Sequence, residues 1–232
     1  MEKPSSVQKE YFPKSEKLYL IFGGIAAGIA MPPFEFYKSA KILNENKIFF
    51  RDFNQSWYQC GLDGIGDDLM STTAFIKKEI ELLQPKKIFL VGNSMGGYAS
   101  IMFSSLLECE SEVIAFSPQT FISPIERLRF LDYRWQREIF KTYLSSYSKP
   151  KVWNLKSQLK NYMPTRISIF VSDIDRLDSI HANYIGNMKG VSVFKFSEGG
   201  HGVVKLLRDK GVLKDILSGE YFANDKQVND RA

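Results

Sequence analysis

Residues 87–97 read KIFLVGNSMGG. The first five, Lys87–Val91, form a short apolar run ended by a glycine, the pattern of a buried strand. The stretch Gly96–Leu107 that follows is packed with small and apolar residues and reads as a helix. Between them, Gly92-Asn93-Ser94-Met95-Gly96 fits G-x-S-x-G, a serine held on a very tight strand-to-helix turn. The residues two before and two after such a serine approach so closely that side chains would clash, which accounts for Gly92 and Gly96. The turn raises the Ser94 hydroxyl at the carboxyl edge of a sheet, where open α/β folds bind their ligands.

Working outward from this turn, apolar runs alternate with amphipathic stretches. Lys17–Phe22, Ile48–Phe50, Val113–Phe116, Ile167–Val171 and Val191–Phe196 read as further strands. Leu69–Leu83 has helical spacing and stops before Pro85, and Val203–Leu217 reads as a closing helix. The expectation is an α/β fold: a mostly parallel sheet of about six strands with helices on both faces. The run from Phe121 to Tyr162 breaks the alternation and is too long for a plain loop. Helical periodicity over Ile125–Leu144 makes it an inserted helical cap. Residues 1–16 read as a mobile leader and residues 223–232 as a mobile tail, leaving one domain over 17–222.

A serine nucleophile needs a base. Of the two histidines, His181 falls in a helical stretch, where a surface or partly buried role is expected. His201 lies in Glu198-Gly199-Gly200-His201-Gly202, whose glycines let the loop curl toward Ser94. The acid is expected just after the preceding strand, in Ser172-Asp173-Ile174-Asp175. Asp175 is the first choice for its place in the loop, Asp173 the second, and Asp178 reads as a helix cap. An oxyanion needs two backbone donors. Met95 N–H, directly after the nucleophile, is one. The other comes from Phe22–Gly28, with Gly24 first and Ile25 second. That loop lacks the G-x-G-x-x-G spacing and the Lys-Ser/Thr of nucleotide-binding loops.

The GNSMGG turn, the SDID turn, the GGHG loop and the FGG loop, in this chain order, together resemble the α/β-hydrolase superfamily from about Leu18 to Leu217. The resemblance implies a Ser94–Asp175–His201 triad working through an acyl-enzyme. It also implies an esterase or thioesterase, with acyltransferase, lyase or non-catalytic accessory protein as the alternatives. Two departures mark a divergent, trimmed member. The superfamily's antiparallel edge pair of strands has no counterpart before Lys17, and Phe22-Gly23 stands where His-Gly is usual.

Composition sets the remaining bounds. The chain has 232 residues, 44% hydrophobic and 25% charged, as expected of a globular domain. Cys60 and Cys109 lack metal-ligand spacing, so neither a metal nor an organic cofactor is expected. No apolar run reaches the roughly 18 residues of a membrane span and no signal peptide is evident, which makes the cytoplasm the default location. Net charge is +5, but Phe121–Arg166 alone holds ten Lys or Arg against three acids, a net +7. Nine aromatics are interleaved with them. Such a cap suits an anionic or carrier-bound acyl ester and is compatible with peripheral contact on an anionic membrane. Nucleic acid is not an expected partner, since no continuous basic track or known module is present. Trp57 and Tyr58, in the loop after the second strand, are expected either to line the substrate site or to anchor that loop to the core.

Overall fold

A computed structural model describes residues 5–25, 35–145 and 151–221. Seven strands build one sheet: β1 (Val7–Glu10), β2 (Lys17–Phe22), β3 (Asn46–Phe50), β4 (Lys87–Asn93), β5 (Glu112–Phe116), β6 (Arg166–Ser172) and β7 (Val191–Phe196). Their order is β1-β3-β2-β4-β5-β6-β7, and every pair is parallel except β1 with β3. The described residues also form nine α-helices, the last two after β7: α1 (Tyr37–Ala40), α2 (Leu69–Leu83), α3 (Met95–Leu107), α4 (Pro124–Phe130), α5 (Gln136–Leu144), α6 (Leu155–Gln158), α7 (Arg176–Gly186), α8 (Val203–Asp209) and α9 (Leu213–Ser218).

The expected α/β sheet is present, with one strand more than the sequence pattern indicated. Residues 7–10, expected in a mobile leader, form the antiparallel edge strand. Their own residues give little strand signal, and the tie comes from distant side chains. Lys9 and Tyr11 both bond the buried carboxylate of Glu79 on α2, at 2.6 and 2.5 Å. Phe12 N–H donates to Asn46 Oδ1 at 2.8 Å. The expected closing helix is two helices, divided near Gly211, whose φ is +75°. Residues 1–4, the loop positions Ala26, Ala27 and Gly28, and the tail 223–232 lie outside the described residues.

The period-two alternation of the strands separates two cores. Leu18, Leu20 and Phe22 of β2 face a core shared with Ile76 of α2 and with α3. Tyr19 and Ile21 face the other, with Ala40 of α1, Leu207 of α8 and Ile216 of α9. Continuous apolar strands are what a sheet covered on both faces requires. α2 begins with a reciprocal cap: Asp68 accepts from Ser71 N–H at 2.7 Å, and Ser71 Oγ accepts in return from Asp68 N–H. Between β5 and β6 the chain makes α4, α5 and α6, in the stretch expected as a cap. The expected continuous helical run there is broken at Leu131 and Trp135, both with left-handed backbones.

The parallel strands end on one edge, and α3 crosses that edge at the end of β2. The crossing is so close that a Cβ on Gly96 would sit 2.1 Å from the carbonyl oxygen of Phe22. A Cβ on Gly92 would sit 2.0 Å from the carbonyl oxygen of Gly96. Both clashes are with backbone, which no side-chain rotation relieves. Gly96→Ala is therefore expected to lower unfolding free energy by roughly 3 kcal/mol or more in denaturant titration. Gly64→Ala is the control. Its φ of +81° is unfavourable for alanine but no atom lies within 4 Å, so a loss on the order of 1 kcal/mol is expected. Equal losses in the two variants would refute the close-approach account.

Candidate active site

Ser94 has φ 54° and ψ −116°, a strained conformation at the N-terminus of α3. The strain is held by the sheet: Ser94 N–H donates to the Phe116 carbonyl of β5 at 2.9 Å. The loop after β7 brings His201 alongside. Gly199 and Gly200 have φ of +95° and +52°, and the backbone then makes a single 3-10 turn, Gly200–Gly202. His201 Nε2 stands 3.1 Å from Ser94 Oγ, so the structure brings these two residues together.

The carboxylate beside His201 is not the expected one. His201 Nδ1 is 2.7 Å from Oδ2 of Asp178, and neither Asp175 nor Asp173 makes this contact. Asp175 is the N-cap of α7, its Oδ1 accepting from Asp178 N–H at 3.0 Å. Asp173 has an exposed side chain. The helix cap is thus Asp175 and the carboxylate beside His201 is Asp178, the reverse of the expected placement. An N-cap carboxylate must turn back onto the first helical turn to accept its N–H, which leaves the carboxylate at the third helical position to point elsewhere. The Asp175-x-x-Asp178 spacing carries that signal.

Asp178 is also fixed from the other side. Arg134, in the segment between α4 and α5, donates from Nη1 to Asp178 Oδ1 at 2.8 Å. The same guanidinium grips Asp132 through Nε and Nη2, both at 3.1 Å. Asp132 Oδ2 lies 2.9 Å from Nε2 of His181, which is wholly buried where a surface or partly buried place was expected. His181 Nδ1 accepts from Thr120 N–H at 3.0 Å, so its proton sits on Nε2, facing Asp132. Burial alone would push the Asp178 and Asp132 carboxyls up. The bonds from His201 and Arg134 reverse this for Asp178, and those from His181 and Arg134 do so for Asp132, so both are held below the usual carboxylate range. The Asp178 bond raises the His201 pKa, with burial opposing it.

Ser94 Oγ has a second neighbour that the sequence did not single out. Gln119, just past β5, has its Nε2 3.2 Å from Oγ, and its Oε1 lies 3.1 Å from Trp57 Nε1. An indole N–H only donates, so Trp57 fixes the amide with its oxygen toward the ring and its NH2 toward Ser94. The Ser94 oxygen accepts from Gln119, and its own hydrogen is directed to His201 Nε2.

Trp57 and Tyr58 are wholly buried, so of the two expected roles they take the anchoring one. Tyr58 OH donates toward the carbonyl oxygens of Gly23 and Phe50, at 3.0 and 3.1 Å. The buried carboxylate of Asp52 gathers the N–H groups of Asn54, Ser56 and Tyr58, which shapes the loop. Both aromatics have left-handed backbones, with φ of 53° and 60°.

Of the expected oxyanion donors, Met95 N–H opens α3 beside Ser94. Gly24 also borders the serine: a Cβ on it would lie 3.7 Å from Ser94 Cβ. Its N–H, however, donates to Oε2 of Glu35 at 2.6 Å, and Asn93 Nδ2 donates to Oε1 at 2.9 Å. Burial raises the Glu35 pKa against these two bonds. A carboxyl oxygen thus occupies one expected donor. Ile25 packs against the apolar core beside it.

Among the described residues, Asp175, Asp178 and His201 form a group close enough to share a cation. Asp178 spends both oxygens on His201 and Arg134, and a metal would have to displace the guanidinium and break the His201 contact.

No protein-family model matches the sequence, and no curated protein matches it. Solved structures do resemble the fold. A capsule O-acetyltransferase of Neisseria meningitidis serogroup A aligns over 90% of both chains at TM-score 0.61 and 16% identity. A glycosylation-associated protein complex (Gap123) from Streptococcus agalactiae aligns over 91% of this chain and 46% of that one, at TM-score 0.60 and 12% identity. A fluorophosphonate-binding serine hydrolase of Staphylococcus aureus, FphF, aligns over 85% of this chain and 82% of that one, at TM-score 0.56 and 13% identity. At these identities the likeness is one of architecture: the chain has a divergent α/β-hydrolase-type fold.

Proposed function

We propose that the protein is a serine enzyme of acyl transfer, using Ser94 as nucleophile, His201 as base and Asp178 as the acid that orients the base. The observation that carries the reading is the unbroken contact chain Ser94 Oγ–His201 Nε2–His201 Nδ1–Asp178, at 3.1 and 2.7 Å, built on a strained turn. Asp178 accepts a hydrogen bond from Nδ1–H, which keeps the proton on Nδ1 and leaves Nε2 free to accept from the serine. As Oγ bonds to an ester or thioester carbonyl, its proton passes to Nε2. The carbonyl oxygen takes the negative charge against the Met95 N–H and, once Glu35 gives way, against the Gly24 N–H. The imidazolium then protonates the leaving alcohol or thiol as the carbon–heteroatom bond breaks. Water, activated by His201 in turn, releases the acyl group as a carboxylic acid.

A second reading replaces water by an acceptor hydroxyl, so that the product is a new ester. The fold likeness to a capsule O-acetyltransferase favours this variant. Product analysis separates the two. Free acid alone from a donor ester mixed with a sugar or polyol acceptor supports hydrolysis, and an acylated acceptor supports transfer.

Fluorophosphonate labelling tests the nucleophile. The wild type is expected to label, Ser94→Ala not at all, and His201→Ala at least about 100-fold more slowly. A folded wild type that does not label would refute the proposal.

The acid is tested by paired amides. Asp178→Asn is expected to slow labelling by on the order of 100-fold or more, because the imidazole loses its orienting partner. Asp175→Asn should change it little, since asparagine caps a helix as well as aspartate does. The reverse order would return the role to Asp175.

The reaction rate should rise with pH, because only neutral His201 accepts the serine proton. Since Asp178 raises the pKa of His201, the midpoint of that rise is expected above the ordinary histidine value of about 6.5. Asp178→Asn should move the midpoint down in the pH dependence of labelling. A midpoint unmoved by that substitution would contradict the assignment.

A further inference from the structure

The outer face of the α4–α5 segment is unlike the rest of the surface. Six large apolar side chains are exposed there within twenty residues: Ile125, Leu128, Leu131, Tyr133, Phe140 and Leu144. Exposed charges along the same stretch are all cationic: Arg129, Arg137 and Lys141. The acids of the stretch are not available to balance them. Glu126 and Glu138 are half-buried, and Asp132 spends its oxygens on Arg134 and His181. On α5, Arg137, Phe140, Lys141 and Leu144 fall at i, i+3, i+4 and i+7. They make one exposed stripe of alternating apolar and cationic groups.

A groove of about 630 Å³ opens on this face, lined by Leu128, Ile139, Phe140 and Tyr143 together with Arg127 and Arg137. Arg127 is only 9% exposed. Among the described residues its guanidinium has neither a hydrogen-bond acceptor nor a carboxylate within ion-pair distance. Arg127 lines the groove, so its guanidinium opens onto that space and can take an anion from outside. Burial pulls the Arg127 pKa down, and the field of Asp132 only partly opposes it. The groove therefore offers an anion cationic groups set among apolar walls.

We propose that this face docks on an anionic lipid surface, with Arg127 taking a lipid headgroup phosphate in the groove. The phosphate supplies the counter-charge. The apolar rim then enters the interface, which a small soluble anion would leave in water. The exposed cations add long-range attraction to an anionic bilayer. The proposal concerns this surface alone and does not depend on the Ser94 chemistry.

The test is vesicle co-sedimentation of the full chain. Phosphatidylcholine vesicles are compared with phosphatidylcholine–phosphatidylglycerol mixtures at low and high salt. The wild type is expected to bind the anionic vesicles at least about 10-fold more tightly than the neutral ones, and less so at high salt. The double variant Phe140→Ser, Leu144→Ser and the single variant Arg127→Gln should each weaken binding at least about fivefold. Arg127→Gln should keep the thermal midpoint, since it breaks no ion pair, and should label with fluorophosphonate at the wild-type rate. Lys205→Gln, on the exposed face of α8, is the control and should bind as the wild type does. The proposal is overturned by no binding, by equal binding to both vesicle types, or by Lys205→Gln losing as much as Arg127→Gln. A dimer in sedimentation equilibrium that dissociates in Phe140→Ser, Leu144→Ser would assign the face to a second copy instead. Binding of monomeric short-chain phosphatidylglycerol without vesicle binding would assign the groove to a soluble ligand.

Discussion

Everything at the carboxyl edge of the sheet depends on how closely α3 passes the end of β2. With the Gly96 Cα nearly against the Phe22 carbonyl, the chain has no option but to reverse within one residue at Ser94. That reversal stores strain, and the parallel neighbours hold it, with Phe116 of β5 taking the Ser94 N–H. The same approach sets Gly24 beside the serine. A single steric constraint thus places the hydroxyl and the neighbouring backbone donors, before any charge is considered.

The second organising element is electrostatic and runs through the cap. Arg134 is shared by Asp178, which holds His201, and by Asp132, which holds His181. The segment between α4 and α5 is therefore part of what fixes the site. Each carboxylate in this network is largely removed from water, and each is matched by a cation or an imidazole. The matching keeps two buried acids ionised. Arg127, a few residues away, makes no such bonds among the described residues and lines the open groove instead.

Some of this was written plainly along the chain. GNSMGG after an apolar strand announces the turn, because only glycine tolerates the approach. GGHG after the last strand announces a histidine on a loop free to curl. Other parts were hidden. Val7–Glu10 carries no strand pattern of its own and pairs because Glu79, far along the chain, gathers Lys9 and Tyr11. Trp57 looks like a pocket aromatic and is instead a buried donor that orients Gln119. Glu35 gave no local signal at all, since its role comes only from meeting Gly24 and Asn93.

The aspartates of the Ser172–Asp178 turn show where the boundary lies. Three carboxylates fall within six residues, all of them close enough in sequence to the end of β6 to be candidates. Which one meets His201 depends on the residue at which α7 begins: Asp175 caps the helix, which leaves Asp178 at its third position to meet His201. The sequence by itself determined the local events: the strand–turn–helix, the sheet class, the position of the serine and of the histidine loop. These rest on short-range sterics and periodicity. The tertiary structure alone decided the distant partners: Asp178 on His201, Gln119 on Ser94, Arg134 on Asp178. Those are contacts between residues dozens of positions apart or turned by a helix start, and no short-range rule specifies them.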